Sequence, residues 1–180
     1  MKIIKKILLG IVAIIALLLI IAIFLKKEYT VERSITINKP KQEVFDYIKL
    51  LKNQDNFSVW AKKDPNMKKE YTGTDGAVGF VSAWDSDNKD VGKGEQEITK
   101  IEEGNRVDYA LRFLKPMEGN ATAYLSTEAA AETQTNVKWG IQGRMAYPMN
   151  IMQLFMNMDK MLGADLEQGL ANLKEILEKQ

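Results

Sequence analysis

Residues 147–180 read YPMNIMQLFMNMDKMLGADLEQGLANLKEILEKQ, and the fold turns on how this stretch is built. Met152, Phe155, Met156, Leu162, Leu166, Leu170, Leu173 and Leu177 fall on one stripe at roughly 100° per residue. The spacing predicts one long helix over 149–179, with Gly163 as the place where it would break. Six of the nine methionines lie in or beside it: Met145, Met149, Met152, Met156, Met158 and Met161. Methionine is flexible and polarisable, so it suits either an adaptable apolar wall or an irregular core. Asp159 falls near the centre of the stripe. A carboxylate there must be paired, hydrogen-bonded or protonated, unless a break at Gly163 turns it out to water. Arg112 and Arg144 are the candidate partners, although each sits on a strand face opposite the local apolar one.

Upstream of the helix the pattern changes from a period of 3.6 to a period of two. YTVERSITIN, residues 29–38, sets Val31, Arg33, Ile35 and Ile37 against Glu32, Ser34 and Thr36, which is a strand by alternation and by β-branched content. Pro40 suits a first helical turn, and Val44, Phe45, Ile48 and Leu51 then recur at helical spacing over 41–52. A second short helix is expected over 53–60. Six strand-like runs follow, at 69–72, 79–84, 94–101, 107–114, 121–129 and 135–145. Turn chemistry separates them, as at Thr74-Asp-Gly76 and Glu103-Gly104-Asn105. Connections this short make neighbours antiparallel. Seven such strands cannot bury a face alone, and the C-terminal helix is the one element large enough to cover it. The fold class is therefore α+β, a curved seven-stranded antiparallel sheet wrapped around a long helix.

Residues 7–25, ILLGIVAIIALLLIIAIFL, are 19 consecutive residues without a polar side chain. At about 1.5 Å per residue they nearly span a hydrocarbon core of about 30 Å. The run exceeds the apolar region of a signal peptide, and Lys26 and Lys27 follow it where small residues would mark a cleavage site. One N-terminal transmembrane helix is expected, making 1–28 an anchor and 29–180 the folded domain. Lys2, Lys5 and Lys6 favour a cytoplasmic N-terminus and an extracytoplasmic domain, periplasmic in a bacterium; Lys26 and Lys27 argue weakly the other way.

Composition narrows the chemistry. The chain has 180 residues, 46% hydrophobic and 27% charged, with a formal net charge of +1. Residues 1–28 hold five lysines and one glutamate, leaving 20 basic and 23 acidic residues in 29–180. A mildly acidic domain without a basic run is a poor partner for nucleic acid. The chain has no cysteine and no histidine, which removes Ser-His-Asp and Cys-His catalysis and most zinc and iron sites. Asp85-Ser-Asp87-Asn88-Lys89-Asp90 fails the calcium-loop pattern at its fifth and sixth positions. No metal or cofactor is expected.

VERSITINKPKQEVFDYI, NFSVWAKKDPNMKKEYTGTDGAVGFVSAW, GKGEQEITKIEEGNRVDYALRF and GADLEQGLANLKEILE, in that order, resemble the SRPBCC superfamily. These are the START-like helix-grip proteins, and the chain is similar to their polyketide cyclase/dehydrase group over residues 29–180. The resemblance implies a deep cavity for apolar ligands between sheet and C-terminal helix. It implies binding of a lipid- or polyketide-like molecule, with catalysis in only some members.

On that scaffold Trp60, Trp84, Tyr109, Phe113, Trp139, Met152, Met156 and Asp159 are the candidate ligand-binding residues. Tyr109 and Phe113 share a strand face with Val107 and Leu111, and Trp139 shares one with Val137 and Ile141. Such side chains line a cavity or fill a core. The preferred expectation is a membrane-anchored, non-enzymatic binder of a hydrophobic small molecule or lipid. The alternatives are a cyclase or dehydratase using Asp159, Tyr109 or Arg112, and a structural or stress-related interaction domain without ligand. Protein partners are not legible.

Overall fold

The computed structural model describes residues 2–179. Helix α1, Lys2–Phe24, comes first. Its segment Ile3–Phe24 has a mean hydropathy of 3.5 and is long and apolar enough to cross a membrane. Strand β1, Glu28–Ile37, follows at once. Next come α2 (Lys41–Lys49), a 3-10 turn (Leu51–Asn53), α3 (Gln54–Phe57), α4 (Val59–Lys63) and β2 (Lys68–Thr72). Strands β3 (Val81–Asp85), β4 (Lys93–Glu102), β5 (Arg106–Lys115), β6 (Gly119–Ala131) and β7 (Gln134–Arg144) form a meander. A 3-10 segment, Met149–Leu154, then leads to α5, Met158–Glu178.

Every strand pair is antiparallel, in the order β1-β7-β6-β5-β4-β3-β2, so the first strand closes against the last. Alternation sets which residues face inward. β5 buries Val107, Tyr109 and Leu111, β6 buries Ala123, Leu125 and Thr127, and β7 buries Val137, Trp139 and Ile141. The β4–β5 hairpin turns at Gly104, whose φ of +72° suits glycine. The curved sheet wraps α5, as the alternation and the length of the last helix require.

α5 differs from the expected helix in one respect. Residues 149–154 are 3-10, and the chain leaves helical geometry before Asn157, whose side chain caps α5 by accepting from the Lys160 amide at 2.9 Å. The break therefore falls at 155–157, and the helix runs unbroken through Gly163. The continuous stripe is correct from Leu162 onward: Leu166, Leu170, Leu173 and Leu177 are buried, each worth roughly 2 kcal/mol of apolar burial. Met152 and Phe155 belong to a different segment and are exposed.

Candidate functional site

The inner face of the sheet has two halves. α5 lies over the half that ends at Ile37: Arg33 meets Asp159 and Glu167, the Thr36 carbonyl accepts from Lys174, and the Asn38 amide donates to Glu178. This half is filled. Trp139 is only 1% exposed. Phe57 meets it edge-on at 5.5 Å and Trp60 at 6.1 Å. On the helix side Trp139 rests on Gly169, where a Cβ would come within 2.6 Å of the indole. Tyr109 is also buried, its hydroxyl donating to the Ile48 carbonyl at 3.4 Å, and burial pushes the phenol well above its usual pKa.

The other half lies at the end where β1 leaves α1, and it is more open. Register puts Tyr29, Gly143, Ala121 and Leu111 in one row and Phe113, Gly94 and Trp84 in the next. Side chains here are smaller or less covered. Tyr29 lies over Gly143, and Trp84 lies over Gly94, where a Cβ would meet the indole at 2.6 Å. Trp84 meets Phe113 edge-on at 6.3 Å, and Phe113 is 37% exposed. Two depressions accompany this end, both open to solvent. One of about 350 Å³ runs along residues 153–158 and includes Leu154, Phe155, Met156 and Met158. The other, of about 500 Å³, lies across β1, β7 and β6 and is lined mainly from the outer face, by Glu28, Thr30, Asn120, Thr122, Gln142 and Arg144.

The sequence-derived candidates therefore separate. Tyr109 and Trp139 are in the packed half, with Trp60 against Trp139. Trp84 and Phe113 form a pair at the open end. Met152 is exposed, and Met156 lines the smaller depression. Asp159 belongs to neither group. It stands in the first turn of α5 with its side chain 65% exposed, bonded through both carboxylate oxygens to Arg33 at 2.8 and 3.0 Å. The guanidinium holds its pKa below the usual carboxylate value. A continuous stripe would bury this carboxylate and a break would turn it to water; the break is present, at 155–157 and not at Gly163, and Asp159 faces water.

Arg33, rather than Arg112 or Arg144, is the partner of Asp159. Arg33 also donates to Glu167 at 2.6 Å and lies against Gly163, whose missing side chain makes room for it. Arg112 projects from the opposite face of β5 to Tyr109 and pairs with Glu95 and with Glu97, the latter at 2.7 Å. Asp159, Tyr109 and Arg112 thus share no common space. No group of three His, Cys, Asp or Glu able to hold a metal occurs among the described residues.

Two further residues escaped the sequence reading. Asn150 is fully buried, and its Nδ2 donates to the Ala22 carbonyl at 2.6 Å and the Leu25 carbonyl at 3.3 Å. Gln153 donates to the Lys26 carbonyl at 3.0 Å. Both groups serve the end of α1, where a helix has no carbonyl partners of its own. For Arg33 a signal existed, because it interrupts the apolar face Val31, Ile35, Ile37. For Asn150 there was none, since its partners are backbone atoms more than a hundred residues away.

A family model described as polyketide cyclase / dehydrase and lipid transport matches residues 28–178. No curated protein is significantly similar to the chain in sequence. Among solved structures, a protein from Nitrosospira multiformis is 18% identical, with a TM-score of 0.59 over 83% of this chain and 96% of that one. A Thermobifida fusca protein is 16% identical, with a TM-score of 0.57 over 83% and 93%. Truncated norcoclaurine synthase from Thalictrum flavum is 8% identical, with a TM-score of 0.62 over 85% and 95%. At these identities the likeness is one of fold.

Proposed function

Because the chain belongs to the polyketide cyclase / dehydrase and lipid transport family, we propose that it is a membrane-tethered protein that binds a lipid-like apolar molecule without transforming it. In this reading residues 1–28 are the anchor and 29–180 the binding domain, held on the extracytoplasmic side. The observation that carries it is the open end of the inner face. Trp84 and Phe113 form a partly exposed aromatic pair over Gly94, at the sheet end from which α1 departs. Apolar walls with few polar groups suit an apolar guest, and the tether would hold that guest's point of access beside the bilayer. Trp84, Phe113 and Met156 are the contacts expected first. Trp60, Tyr109, Trp139 and Met152 contribute only if the guest displaces packed side chains or reaches the exposed segment.

Photocrosslinking tests this. The full chain in lipid nanodiscs is irradiated with a diazirine-bearing fatty acid and mapped by peptide. Adducts at β3 and β5 that fall on Phe113→Asp support the reading. Adducts confined to α1, as for any membrane helix, remove it and leave a structural domain.

A further inference from the structure

The segment around Asn150 has a feature that ligand binding does not use. Asn150 and Gln153 bind the carbonyls of Ala22, Leu25 and Lys26, and the Met145 amide donates to the Lys27 carbonyl at 2.7 Å. Ala22 is fully buried by this contact. Backbone carbonyls near a hydrocarbon core must find partners within the protein, and here the 3-10 segment supplies them. The segment consequently sits at the depth of residues 22–27, the last roughly 6 Å of the helical span and its first flanking residues.

Most of its large apolar side chains are exposed, while Ile151 and Met156 are half-buried. Tyr147, Met149, Met152, Leu154 and Phe155 are all exposed, Phe155 by 73%. These are five large apolar groups within nine residues. The end of β5 and the turn after it, at the same end of the sheet, add Leu114 and Met117. Exposed cations flank the segment: Lys26, Lys27, Arg144 and Lys160. The acids nearby are Glu28, Glu118 beside Met117, and Asp159, the last engaged by Arg33. Apolar groups bordered by lysine and arginine are the signature of an element lying in the headgroup region of an anionic bilayer.

We infer that residues 147–157 dock on the surface of the membrane that holds α1, with Met149, Leu154 and Phe155 inserted at the boundary between headgroups and acyl chains. Asn150 and Gln153 lock this element to the end of the anchor, so the domain is held at a fixed height instead of swinging on a free tether. The inference rests on the anchor reading made above but not on ligand binding.

The absence of cysteine makes the test direct. Single cysteines at 149, 155, 132 and 14 carry an environment-sensitive fluorophore, in the full chain reconstituted in nanodiscs of phosphatidylcholine with phosphatidylglycerol. Labels at 149 and 155 should be quenched by lipids spin-labelled near the headgroup, and shielded several-fold from aqueous iodide relative to the label at 132. If 155 is as open to iodide as 132 while 14 is shielded, the anchor stands and the docking inference is overturned. If 14 is also open, the anchor reading fails and takes docking with it. Shielding of 155 from iodide without quenching by lipid means that a second protein copy covers it, which also overturns the inference. Loss of docking with fatty-acid crosslinking at Phe113 intact would separate it from the ligand reading.

Discussion

The two halves of the sheet's inner face are built from the same alternation, yet they end differently. Under α5, Trp139 meets Gly169 and Arg33 meets Gly163 on the opposing helix, Phe57 packs on Trp139, Tyr109 is buried beside Ile48, and the space closes. Near α1 the small residues Gly143, Ala121 and Gly94 lie on the sheet itself, with Tyr29 over Gly143 and Trp84 over Gly94. What lies above the glycines distinguishes the halves: α5 closes one, while side chains of the sheet itself cover the other and leave Phe113 37% exposed. On the helix they admit Arg33 and Trp139 from the sheet; on the sheet they seat Tyr29 and Trp84.

The sharpest way to break this contrast is Trp139→Ala, which empties the closed half. It should cost about 3–5 kcal/mol, seen as a large drop in the thermal midpoint by circular dichroism. Gly169→Leu attacks the same contact from the helix and should cost about 1–3 kcal/mol through overpacking; no change in midpoint would mean that the indole has room to move. Phe113→Ala, in the open half, should cost under about 1 kcal/mol while reducing fatty-acid crosslinking. A stability loss equal to that of Trp139→Ala would make both halves core.

Smaller effects come from the charges that hold α5 to β1. Arg33 depresses Asp159, and the Asn38 amide together with Lys174 depresses Glu178. A carboxylate depressed in the folded state stabilises it above the unfolded pKa of about 4, and that contribution is lost as pH falls through the lower folded value. Acidification below about pH 4 should therefore loosen α5 at both ends, and Arg33→Met should remove the Asp159 part of that dependence. An acid melting profile unchanged by Arg33→Met would deny the pair any role. Smallest of all is Tyr124 on the outer face. Burial and the bond to Glu32 raise its phenol to about 12, and burial also raises Tyr29, Tyr71 and Tyr109, so the absorbance at 295 nm should show a late step from which Tyr124→Phe removes one tyrosine's share.

Asp159 shows how far spacing reaches. Helical spacing placed it near the centre of an apolar stripe, because Met152, Phe155 and Met156 extend the period of the leucines. Asn157 ends that period by capping α5, and a cap is a hydrogen bond whose formation depends on where the chain turns. Arg33 was legible as a charge on an apolar strand face. Its partner was not, since β1 and α5 are 126 residues apart.

Local pattern by itself determined the apolar span of α1, the strands and their antiparallel neighbours, the amphipathic half of α5 from Leu162 to Leu177, and the exclusion of histidine and cysteine chemistry. These follow from periodicity and composition, which act over a few residues. Tertiary structure alone decided that Trp139 fills while Phe113 stays open, that Arg33 holds Asp159, and that Asn150 caps α1. Each depends on which distant surfaces meet, and a side chain's environment is set by what packs over it rather than by its neighbours in the chain.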